Sequence, residues 1–121
     1  MKKPTYAALL SVFFVVSAYS AAAKAPAATP ALLEKGKAVF AVNCLTCHGE
    51  TGDGMGPAGQ YLNPKPRNFA KDKFKKGDKA EQIFQTITKG LDGTAMVAFA
   101  HLPEEERWAL AYYVRKLGKK K

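Results

Sequence analysis

Cys44-Leu45-Thr46-Cys47-His48 decides how this 121-residue chain reads. Cys44 and Cys47 are its only cysteines, so neither a four-cysteine zinc site nor a scaffold of several disulfides can be built within it. Two thiols three positions apart with a histidine directly after them form the pattern of covalent c-type haem attachment. Each thiol adds to one haem vinyl group as a thioether, and the histidine is delivered to the iron. A redox dithiol and half of a zinc site are the other readings of paired cysteines. The first lacks its βαβ surroundings, and the second lacks another pair of ligands.

On the N-terminal side of the motif, Pro30 suits the first turn of a helix, and a first helix is expected over 30–43. Its apolar residues are Leu32, Leu33, Val39, Phe40 and Val42. Gly36 falls on the Leu33 to Phe40 face, where glycine costs about 0.5–1 kcal/mol relative to alanine unless another backbone approaches closely. Before the helix, residues 24–29 form an Ala/Pro spacer. Residues 1–23 combine Lys2 and Lys3, an apolar run from Ala7 to Ala18 and the small residues Ser20-Ala21-Ala22-Ala23. This is the pattern of a secretory signal peptide cut after Ala22 or Ala23, and its apolar run is short for a spanning helix, which needs about 20 residues.

On the C-terminal side, residues 49–68 hold five glycines and three prolines without helical periodicity, a long loop that needs something to wrap around. Asp78 with Glu81 makes a capping-box-like start for a second helix over 79–89, stopped by Gly90. A last helix opens at Pro103 with Glu104, Glu105 and Glu106 at its positive end and closes with Arg115, Lys116 and Gly118, its apolar face being Trp108, Ala111, Tyr112 and Leu117. Three helices and no alternating strand pattern give an all-α domain over 30–118, with 119–121 a basic tail. Helices this short make no extensive core unaided, so a cofactor is expected at the centre.

The second iron ligand is expected from Met96, in the apolar segment Gly93-Thr94-Ala95-Met96-Val97-Ala98-Phe99 between two helices. Met55 and His101 are the other candidates, the one among glycines in a solvated stretch, the other just ahead of a helix. Val39, Phe40, Phe69, Ile83, Phe84, Ile87, Val97 and Phe99 are the expected haem-packing side chains.

Nineteen Lys and Arg against ten Asp and Glu give a formal net charge of +9. Seven of the basic residues lie between Lys65 and Lys79: Lys65, Arg67, Lys71, Lys73, Lys75, Lys76 and Lys79. Such a run is either a solvated face or a patch that steers an acidic redox partner. Only Phe69 and Phe74 interleave with it, too little stacking surface for nucleic acid.

With these features the chain resembles the class I c-type cytochromes, of the small monohaem bacterial kind. The resemblance covers about 31–118 and includes the attachment motif, Gly49 through Gly56-Pro57, the Gly93-Thr94 pair ahead of Met96 and the helix from Trp108 to Leu117. It implies the cytochrome c fold of three main helices and long loops around one haem c. It also implies attachment through Cys44 and Cys47, iron ligation by His48 and Met96, and a first helix crossing the last through Gly36 and Phe40 against Trp108 and Tyr112. It brings Pro64, Pro66 and Arg67 to the haem rim, with Arg67 bonding a propionate. Many relatives carry proline after the ligand methionine, where this chain has Val97, a softer loop. The reading that follows is a soluble, monomeric, periplasmic one-electron carrier with no membrane insertion after processing, rather than an enzyme. The alternatives are the haem subunit of a larger oxidoreductase or respiratory complex and, more remotely, a gas-binding or sensory haem protein.

Overall fold

The structure is a computed structural model that describes Met1 and residues 24–119. The signal-peptide reading, apart from Met1, and Lys120 and Lys121 of the basic tail lie outside the described residues. Helix α1 spans Pro30–Asn43, α2 Leu45–His48, α3 Ala80–Lys89 and α4 Glu104–Gly118, with one 3₁₀ turn at Gly59–Tyr61. Among the described residues there is no strand. The three expected helices are α1, α3 and α4; the haem motif itself coils into α2, which lacks the length to show a period in sequence.

Local chemistry explains each boundary. Thr29 Oγ accepts the Leu32 N–H at 3.1 Å with Pro30 behind it, satisfying the start of α1. Helix α3 starts one residue later than the Asp78/Glu81 pattern predicts. Gln82, not Glu81, reaches back, its Oε1 accepting the Lys79 N–H at 3.1 Å, and Asp78 does not cap. Gly90 closes α3 with φ of 72°, and a Cβ there would lie 2.7 Å from the Met96 carbonyl oxygen, so glycine lets the Met96 segment fold against the helix end. Pro103 precedes α4, whose first turn carries Glu104, Glu105 and Glu106 and whose last carries Arg115 and Lys116, each sign favoured by the dipole at its own end.

Helix α1 buries Leu32, Gly36 and Phe40, a stripe of four-residue steps. Leu33 is half-buried, and Val42, expected on the apolar side, is 81% exposed. The crossing of α1 with α4 is as the resemblance implies, but its partners differ: Gly36 lies against the Ala109 carbonyl and Tyr113, and Phe40 meets Tyr113 edge-on at 5.4 Å. Trp108 and Tyr112 point elsewhere. Trp108 stacks on Phe84 of α3 at 4.1 Å, and the Tyr112 hydroxyl donates to the Pro26 carbonyl at 2.6 Å, fastening the spacer against α4. Lys35 and Glu105 form an exposed ion pair at 2.9 Å across the α1/α4 crossing, worth about 0–1 kcal/mol.

The glycine-rich loop folds back on α2 through backbone bonds. Gly54 N–H donates to the His48 carbonyl at 2.8 Å, Gly56 N–H to Cys47 at 3.2 Å and Ala58 N–H to Thr46 at 2.9 Å. These occupy the carbonyls at the end of α2, so the haem motif is held from both sides of the chain.

Candidate haem site

The helices and loops line an open cavity of about 360 Å³. Its lining gathers residues from every part of the domain, and all five predicted site residues, Cys44, Cys47, His48, Arg67 and Met96, are among them.

Helix α2 sets the motif. His48 N–H donates to the Cys44 carbonyl at 2.9 Å and Cys47 N–H to the same oxygen at 3.2 Å, which coils both thiols and the imidazole into one turn beside the cavity. Both cysteines are half-buried and free. Burial, with Cys47 close by adding to it, pushes the Cys44 thiol up to about 12, a site where sulfur is favoured uncharged, as a thioether is. Burial also lowers the His48 pKa below its ordinary value. The neighbouring Arg67 backbone pulls the other way without completing a hydrogen bond of ordinary geometry, so His48 Nδ1 stays buried and without a partner. Neutral imidazole is the form that ligates metal. Two half-buried free thiols and an imidazole whose Nδ1 is buried, together at an apolar cavity, are a donor set that fits haem c.

The Met96 segment forms another part of the wall. Met96 is half-buried, and its backbone is fixed on both sides. The Leu91 N–H donates to its carbonyl at 3.0 Å, and its own N–H donates to the Thr94 hydroxyl at 3.1 Å. Met55 is 58% exposed and away from the cavity, and His101 is exposed beside Phe99. Of the three candidates for the second ligand, Met96 alone lines the cavity.

Phe40, Phe69, Ile83, Ile87, Val97 and Phe99 line it as expected. Val39 and Phe84 do not: Val39 packs on the edge of the helical core, and Phe84 is taken by the Trp108 stack. Leu62, Phe74, Leu91 and Val114 are lining residues that sequence reasoning missed. Val114 stands three residues after Ala111 on the buried side of α4 and was findable from the helical period; the other three sit in loops, where no period marks them. Phe69 stacks on His48 at 4.7 Å and on Phe74 at 5.7 Å, which orders the imidazole from one side.

Pro64 and Pro66 join Arg67 at the cavity, as the resemblance implies. Arg67 is half-buried and donates to the Lys73 carbonyl, pinning its loop, and its guanidinium keeps further donors. The basic cluster divides in space. Lys65, Lys75 and Lys76 are exposed residues of the cavity wall, whereas Lys71 lines a separate groove with Glu34, Lys37 and Asp53.

An all-helical domain that brings a Cys-x-x-Cys-His turn and a methionine loop to one apolar cavity is a c-type cytochrome domain. More particularly, the chain belongs to the family described as cytochrome c oxidase, cbb3-type, subunit III, which it matches over residues 31–114. It is 39% identical over 94 residues to the cbb3-type cytochrome c oxidase subunit FixP of Azorhizobium caulinodans, covering 78% of this chain and 30% of that protein. It is 36% identical over 88 residues to the cbb3-type cytochrome c oxidase subunit CcoP of Azospirillum brasilense, covering 73% of this chain and 29% of that one. The chain thus spans just under a third of the length of these relatives. Among solved structures it is similar to a chain of the Kuenenia stuttgartiensis reducing HAO-like protein complex, with a TM-score of 0.72 and 33% identity over 78% of this chain and 47% of that one. The chain carries haem c, covalently bound, with its iron. Among the described residues no helix is long and apolar enough to cross a membrane.

Proposed function

We propose that this chain is a one-electron-transfer haem c domain that serves as the haem subunit of a larger oxidoreductase assembly. The observation that carries the electron-transfer reading is the meeting of Cys44, Cys47, His48 and Met96 at one cavity. Bound haem supplies a reversible change of one electron between ferric and ferrous iron. Cys44 and Cys47 would hold the macrocycle by thioethers, and His48 and Met96 would supply the two protein ligands to its iron. With both in place, electron exchange rather than substrate binding would be the chemistry of the site. The Met96 thioether favours the ferrous state, and the apolar side chains from Phe40, Phe69, Ile83 and Ile87 disfavour the extra ferric charge, so both raise the potential. Arg67 would offer a remaining donor to a propionate. Lys65, Lys75 and Lys76 face an acidic redox partner.

The named relatives are oxidase subunits, and the similar solved chain comes from a complex, which supports the subunit reading over that of a free monomeric carrier. Residues 1–23 act in this account as the export address, 24–29 as spacer and 30–118 as the haem domain, placing it in the periplasm. Purification of the tagged, haem-loaded protein from its own host under mild conditions tests the assignment. A stoichiometric redox partner supports the subunit; a protein that runs alone yet exchanges electrons with soluble donors restores the free carrier. Sequencing of its N-terminus tests export: a start at Ala23 or Lys24 is expected, and Met1 rejects it.

A further inference from the structure

The segment carrying Met96 turns at Gly90 and Gly93, which both adopt positive φ, and Val97 after the methionine is 62% exposed. Most of its bonds are internal and local, and one reaches back to α3. Besides the contacts of Met96 already described, the Thr94 hydroxyl donates to the Leu91 carbonyl at 2.7 Å and the Phe99 N–H to the Ile87 carbonyl at 2.9 Å. The two ends of the segment are tied together from outside it, by Arg107 in the first turn of α4.

Arg107 is half-buried. Its Nε donates to the Leu102 carbonyl at 3.1 Å, and its Nη1 donates to the Thr88 hydroxyl at 2.8 Å. Thr88 stands one residue before the end of α3, where the Met96 segment leaves, and Leu102 stands where it arrives at α4. Thr88 is itself fixed, donating to the Phe84 carbonyl at 2.8 Å, and the guanidinium carbon lies 5.0 Å from the centre of the Phe84 ring. A planar fork addresses two acceptors on separate elements at once; an ammonium on a flexible stem does not hold that geometry.

We infer that Arg107 is a positioning residue for Met96: its clamp between Thr88 and Leu102 sets how firmly the methionine sulfur is held at the haem iron, and so how well the site excludes small exogenous ligands. The inference rests on the reading of Met96 as axial ligand. A bond that only joined α3 to α4 would add to unfolding stability and leave ligand exclusion in the folded protein unchanged.

The test compares haem-loaded wild type with the Arg107→Ala, Arg107→Lys, Thr88→Val and Met96→Ala proteins. Carbon monoxide binding to the ferrous forms and the far-red methionine–iron band of the ferric forms are recorded on samples with wild-type helix content. Loss of the clamp weakens the band and speeds carbon monoxide binding about tenfold in Arg107→Ala. Arg107→Lys, keeping the charge and one bond, falls between it and wild type, and Thr88→Val shows a smaller change in the same direction. Wild-type rate and band in a folded Arg107→Ala protein overturn the inference. If that variant yields no haem protein, Thr88→Val decides by the same reading, wild-type behaviour overturning the clamp. Met96→Ala separates the two claims: carbon monoxide binding no faster than wild type in that protein removes the ligand assignment itself.

Discussion

Gly36 and Ala109 meet backbone to backbone where α1 crosses α4. A Cβ on Gly36 would run into the Ala109 carbonyl and lie 2.8 Å from the Tyr113 Cβ, with no flexible side-chain end to yield. Because this crossing positions Phe40 at the haem cavity, the close approach is part of the site's foundation. Gly36→Ala gains about 0.5–1 kcal/mol of helix propensity but forces the helices apart, at a cost of about 1–3 kcal/mol. The net expectation is a destabilised haem protein, read as a lower urea midpoint; an unchanged or higher midpoint means that the helices part freely.

The bond from the Tyr112 hydroxyl to the Pro26 carbonyl fastens residues 24–29 to α4 and seats Ala25 against the core. Tyr112→Phe removes it and costs about 0.5–1.5 kcal/mol. The effect is local, so amide exchange in 27–29 quickens while that in the middle of α4 stays slow. Equal protection of the spacer in both proteins would show that the bond does not hold it.

Lys65, Lys75 and Lys76 ring the cavity while Lys71 lines another groove, so the two sets separate docking from general charge. Replacing the three by Gln lowers the rate of electron exchange with an acidic partner at low salt and flattens its salt dependence, since screening beyond about 8–10 Å leaves little to lose at physiological ionic strength. Lys71→Gln has a much smaller effect. Equal effects per charge at both places mean that net charge alone steers the partner.

Haem removal has a large expected cost. Without haem, the apolar side chains of Phe40, Phe69, Ile83 and Ile87 line the cavity with no packing partner there, a large loss against the marginal stability of a domain. The Cys44→Ala/Cys47→Ala double variant, purified free of haem, therefore lacks a cooperative thermal transition and gives weak near-ultraviolet dichroism. A sharp transition near the wild-type midpoint would show that the polypeptide core suffices.

The sequence made visible those features whose chemistry is confined to a few neighbouring residues. Pro30, Gly90 and Pro103 mark helix limits through backbone constraints that no tertiary contact reverses, and the Cys44 to His48 turn carries its chemistry in its spacing. Which side of a helix faces the cavity is a tertiary matter. Phe84 has the same period as Ile83 and Ile87 but turns to Trp108, and Val39 borders Phe40 yet stays at the core's edge. The α1/α4 contact was legible as a crossing because Gly36 is conspicuous in a helix, but not in its partners, since Trp108/Tyr112 and Ala109/Tyr113 differ by one residue around α4. Arg107 gave no signal, because its two acceptors, the Thr88 hydroxyl and the Leu102 carbonyl, come together only after α3, the Met96 segment and α4 have packed.

In the proposed site His48 and Met96 together hold the iron of a haem attached through Cys44 and Cys47. The optical spectrum of the oxidised, haem-loaded protein, taken beside that of Met96→Ala, tests it most directly. A Soret band that persists in the denatured, acid-extracted protein reports covalent attachment, and a weak far-red band reports methionine sulfur on ferric iron. Both bands are expected in wild type, with loss of the far-red band alone in Met96→Ala. A wild-type protein without the far-red band, or a Met96→Ala protein that keeps it, would contradict the ligand set and turn attention to a site open to small molecules.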